Sequence, residues 1–85
     1  ARATEVLWWR TASGTEVDFV IEQGRKLIAV EVKSTATPRS SDARQLAAFR
    51  DEYGSAVHGC LLLHTGAEVT PIGRGILAAP WWRVI

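Results

Sequence analysis

Asp18, Glu31 and Lys33 are the residues of this chain whose types and spacing suit chemistry. The two acids stand thirteen positions apart, and the lysine follows the second acid by two. If both runs are strands, Glu31 and Lys33 point the same way, and Asp18 joins them where the register of a hairpin allows. A hard divalent cation such as Mg2+ or Mn2+ needs that arrangement: one or two carboxylates, with water and phosphate oxygens in the remaining positions. A lysine beside it holds an attacking water or offsets charge building on a phosphate. Asp18 and Glu31 are therefore the expected metal ligands, and Asp18, Glu31 and Lys33 the expected catalytic group. On the residues alone a second account stands level with this one. In it the three form a solvated face of an antiparallel sheet, with Glu31 and Lys33 paired to cross-strand charges.

The elements that must position these residues are legible from pattern. Val6 to Arg10 is rich in strand formers, and Thr11 to Thr15 supplies a glycine-centred turn. Glu16 to Glu22 alternates, which predicts Glu16 and Asp18 on one face and Val17, Phe19 and Ile21 on the other. Gln23, Gly24 and Arg25 form a turn into a third strand, Lys26 to Ser34, with Ile28, Val30 and Val32 opposite Leu27, Ala29, Glu31 and Lys33. The three strands form a meander. A loop through Pro38 leads to an N-cap at Ser40 or Ser41 and a helix to Tyr53, with Leu46 and Phe49 on its apolar side and Gly54 closing it. Ala56 to Leu63 is apolar on both faces, as expected of a covered strand lying parallel to its neighbour. Strand, helix and strand in sequence predict a right-handed crossover that sets it beside the third strand. A Gly66 turn, a short Val69 to Ile72 segment and a tail ending Pro80-Trp81-Trp82-Arg83-Val84-Ile85 follow. The expected class is α/β, as one domain over residues 1–85.

At 85 residues and 9.3 kDa the chain makes a small core. Its start at Ala-Arg-Ala-Thr, with no methionine anywhere, reads as a piece of a longer polypeptide. A formal net charge of +1 is too small for a broad nucleic-acid footprint, so any DNA contact must come from a local patch. One cysteine, Cys60, excludes an internal disulfide and makes a reducing, cytoplasmic setting the default expectation. Apolar runs are too short to span a bilayer, and no signal-peptide pattern opens the chain.

Other residues favour ordinary roles. Glu16 reads as a solvent-facing strand residue rather than an accessory ligand, and Gln45 as an exposed helix residue. Arg39 and Arg44 read as a solvated helix start, though they flank the side where the site opens. His58 and Cys60 share a strand face, with His58 expected as a hydrogen-bonded core residue and His64 as exposed. Trp8, Trp9, Trp81 and Trp82 are expected to pack in the core or against further segments.

Two stretches carry a family resemblance. Trp9-Arg10-Thr-Ala-Ser-Gly-Thr-Glu16-Val17-Asp18-Phe19-Val20-Ile21 and Leu27-Ile28-Ala29-Val30-Glu31-Val32-Lys33-Ser34 resemble the C-terminal domain of a large group of prokaryotic AAA-type P-loop ATPases. The likeness continues through Leu46-Ala47-Ala48-Phe49 and Leu62 to Gly66 as far as Pro80-Trp81. That domain is similar in its core to the PD-(D/E)XK nucleases, which implies a leading helix, a three-stranded antiparallel meander, a crossover helix and a parallel fourth strand. It also implies Asp18 as the first acid, Glu31 as the second, Lys33 as the lysine, Mg2+ or Mn2+ as cofactor and DNA as substrate. The implied partner is the N-terminal ATPase domain of the same parent chain. A non-catalytic module that gives the ATPase its DNA or protein partner is the alternative. The leading helix does not fall within these residues, and no Gly-x-x-x-x-Gly-Lys-Ser/Thr loop occurs in them, so nucleotide hydrolysis is not expected here.

Overall fold

The computed structural model describes residues 5–10 and 16–84, with side chains over 17–84. Among these residues six strands form one mixed sheet: β1 (Glu5–Arg10), β2 (Glu16–Gln23), β3 (Lys26–Val32), β4 (Val57–His64), β5 (Thr70–Gly73) and β6 (Ile76–Pro80). Their order across the sheet is β1-β2-β3-β4-β6-β5. The first three pair antiparallel in sequence, and a turn with Gly24 at positive φ joins β2 to β3. Between β3 and β4 the chain runs through the helix α1 (Arg44–Tyr53), and β4 pairs parallel to β3, as the strand-helix-strand pattern predicts. The sheet does not stop there. β6 adds parallel to β4, and β5 pairs antiparallel on its far side, two strands that the sequence reading left as a short segment and a tail.

The helix covers one face of the sheet. Leu46 and Phe49 of α1 are fully buried and pack with Val17, Val20, Leu27, Ala29, Cys60, Leu62, Ile76 and Ala78. The helix entry differs from expectation. A 3-10 turn over Ser40–Ala43 precedes α1, and Arg39 rather than Ser40 or Ser41 stands at the cap, its N–H donating to Asp42 Oδ2 at 2.9 Å. Gly54 closes α1 as expected, its N–H donating to Arg50 O.

On the opposite face Phe19, Val32 and Leu77 stay exposed. There Ile28, Gly59, Leu61, Pro71 and Leu77 line an apolar groove of about 440 Å³. β4 is therefore covered fully on one side and partly on the other. His58 is exposed and not a core residue, whereas His64 is buried, the reverse of what the pattern suggested. Trp81 and Trp82 occupy a terminal 3-10 turn and are exposed rather than packed in the core. The side chains of Trp8, Trp9 and Glu16 lie outside the described residues.

Candidate functional site

The strict alternation expected for β2 fails at one point, and that point bears on the site. Val17 and Val20 are both buried in the core although three residues apart. Leu7 pairs with Val20 and Trp9 with Val17, so three steps along β2 match two along β1. Such a bulge puts one extra residue into a strand and re-aims the side chains around it. Asp18 and Phe19 occupy the bulge, and both are exposed.

Pairing of β2 with β3 runs from Gln23 and Lys26 to Phe19 and Val30. Beyond it the Asp18 side chain takes over: Val32 N–H donates to Asp18 Oδ2 at 2.8 Å. The Asp18 N–H in turn donates to the Glu31 carboxylate. Lys33 completes the group, its Nζ 3.8 Å from Glu31 Oε2, with the lysine side chain partly open to solvent. Asp18, Glu31 and Lys33 are thus neighbours. Gln45, Arg39 and Arg44 are exposed on α1 and its approach, as expected.

Glu31 is only 6% exposed. Burial raises its pKa most, the Asp18 charge raises it further, and Lys33 and the Asp18 N–H pull it back in part. A carboxylate held in this way favours either a proton or a nearby cation. The cluster sits at the carboxyl ends of the parallel strands β3 and β4, where open α/β sheets place ligands.

Whether these residues suit a divalent cation turns on the donor set. Two hard carboxylates are close together, and one Asp18 oxygen is held by Val32 N–H. Among the described residues no group of three or more His, Cys, Asp or Glu side chains gathers. Mg2+ is commonly bound through one or two carboxylates with several waters retained, so the donors fit such an ion, with most of its shell left to solvent or phosphate.

The second buried polar residue, His64, was missed as a structural feature. At the end of β4 its Nδ1 accepts from Gly66 N–H at 2.9 Å, and its Nε2 lies 3.0 Å from Glu68 O. The Gly66 two positions on was the available signal, since a glycine turn directly after a strand lets the backbone fold back on the last side chain.

No helix among the described residues is long and apolar enough to cross a membrane. Comparison with curated proteins and with solved structures finds no match. A family model does match, and it spans the meander, the helix and all three later strands together with the acidic pair and the lysine. Matched over residues 1–84, the chain belongs to the family described as Domain of unknown function (DUF4143).

Proposed function

We propose that this domain is a nuclease-like module of the PD-(D/E)XK kind, in which Asp18 and Glu31 hold Mg2+ or Mn2+ and Lys33 assists hydrolysis of a DNA phosphodiester. The observation that carries the reading is the shared cluster: a buried Glu31 carboxylate between the Asp18 backbone N–H and the Lys33 ammonium, at the carboxyl ends of parallel strands. A bound cation supplies charge neutralisation to a phosphate oxygen and lowers the pKa of a coordinated water. Glu31, whose pKa burial raises, would offer its carboxylate to the ion. Asp18 presents its second oxygen while the first stays on Val32 N–H. Lys33, partly open to solvent, orients the attacking water or meets the charge that grows on the phosphate. The resemblance to the ATPase C-terminal domain makes the N-terminal ATPase domain of the parent chain the proposed partner, and the single cysteine, Cys60, makes a reducing cytoplasm the proposed setting.

A second reading has its own observation. The apolar sheet face that carries Phe19, Val32 and Leu77 suits a partner surface, which favours a non-catalytic binding module descended from the same fold.

Calorimetry with Mg2+ and Mn2+ beside a cleavage assay on single-stranded, duplex and branched DNA separates the two. Glu31→Gln is expected to abolish metal binding; Lys33→Ala is expected to keep the metal and lose cleavage. Metal binding without cleavage by the parent chain would favour the second reading, and absence of both would remove the nuclease reading for these residues.

A further inference from the structure

The loop that leaves β3 is braced from β4. Lys33 N–H donates to Leu63 O at 2.8 Å, and Thr65 N–H donates to Thr35 O at 2.9 Å. His64 lies between these two bonds. The register that pairs Glu31 with Leu62 and Val32 with Leu63, carried one step further, sets Lys33 beside His64 on the same sheet face.

The protonation state of the ring follows from its partners. An amide N–H can only donate, so Nδ1, which takes the Gly66 N–H, must carry a lone pair. Glu68 O can only accept, so Nε2 must carry the hydrogen. With 2% exposure and both nitrogens committed to backbone partners, the ring is held in one orientation. Its two bonds shape residues 64–68 into a turn that packs on the β3 exit. The contact there is backbone to backbone: a Cβ added at Gly66 would collide with Ala36 O and crowd His64 Nδ1.

We propose that His64 is a positioning residue for Lys33. Its neutral imidazole holds the 64–68 turn against residues 35–36, which fixes the exit of β3 and with it the backbone from which the lysine projects. The purpose of this brace rests on the proposed nuclease reading, but its existence is testable without metal or substrate.

The test is amide hydrogen exchange by NMR on the metal-free 85-residue chain, comparing the parent with His64→Leu and His64→Asn. Leucine fills the space but bonds nothing, whereas the asparagine oxygen can take the place of Nδ1 toward Gly66 N–H. In His64→Leu, exchange at Gly66 and Lys33 is expected to accelerate about tenfold or more while Ile28 and Val30 stay near parent values. His64→Asn is expected to restore most of the protection at both positions. Unchanged exchange at Lys33 in His64→Leu, or an asparagine variant no better than leucine, would overturn the proposal. Should His64→Leu not fold, the ring nitrogens of the parent decide: hydrogen on Nδ1 overturns it, and hydrogen on Nε2 with a folded His64→Asn supports it. Line broadening by Mn2+ around Glu31 is a separate arm. Its absence would count against the metal site and leave the exchange result standing.

Discussion

Glu31 and His64 are both buried polar side chains at the carboxyl ends of neighbouring parallel strands, yet their surroundings differ in kind. Each nitrogen of His64 has one complementary backbone partner, and no ionised group is needed to complete the set. Glu31 has a carboxylate beside it that opposes its charge and an ammonium 3.8 Å away that offsets the opposition only in part. A satisfied buried group contributes to one fixed geometry. A group left electrostatically in deficit is completed only by something from outside, a proton or a cation. The contrast separates a brace from a binding position within the same small corner.

Perturbations of decreasing size test that contrast. Leu46→Ala removes a fully buried side chain from the helix that packs on β2, β3 and β4, the strands that carry both corners, and is expected to cost about 2 to 5 kcal/mol by urea titration. A midpoint equal to the parent's would mean that the helix does not support either one. Gly66→Ala strikes the His64 corner alone, because the added methyl meets the Ala36 carbonyl. The expected loss is about 1 to 3 kcal/mol, with metal affinity at Asp18 and Glu31 reduced far less than by Glu31→Gln.

Asp18 sharpens the other side of the comparison. Asp18→Asn keeps an oxygen for Val32 N–H, whereas Asp18→Ala leaves that N–H to water. Alanine should therefore destabilise by about 1 kcal/mol more than asparagine in thermal melts, while both lose metal binding. Equal melting of the two would show that the Asp18 side chain does not terminate the β2 and β3 pairing.

The smallest effect is one of pH. Folding raises the Glu31 pKa above its unfolded value, so the folded state binds its proton more tightly. Stability from this group is full below the unfolded value and is lost as pH climbs through the raised folded one. The metal-free chain should thus melt at a lower temperature as pH rises across that window, and Glu31→Gln should flatten the dependence. A parent and variant with parallel pH profiles would contradict the burial of this charge.

Much of the scaffold could be read from the residues because its signals are local. The antiparallel pairing of β2 with β3 follows from strand formers around the turn at Gly24, and the buried pair Leu46 and Phe49 follows from helical spacing. The grouping of Asp18, Glu31 and Lys33 was legible as well, although by a route different from simple alternation. A bulge has no period, so the burial of both Val17 and Val20 was hidden. The β5 and β6 pair was missed because β5 has four residues, includes a proline and depends for its place on a distant strand. The histidines were interchanged for a related reason. Burial along β4 depends on what lies across each end of it, which a single strand's pattern does not record.

Pro71 gives the sheet an asymmetric boundary. It stands in β5, the outermost strand on that side, opposite Leu77 of β6, and the register shifts immediately after it. A proline has no amide hydrogen to offer, and an interrupted register bends the strand away from a straight template. A stray extended chain arriving at this margin therefore meets a row with a missing donor and a broken spacing. In a crowded solution, where exposed strand margins recruit other chains into aggregates, this side of the molecule is poorly suited to seed such growth.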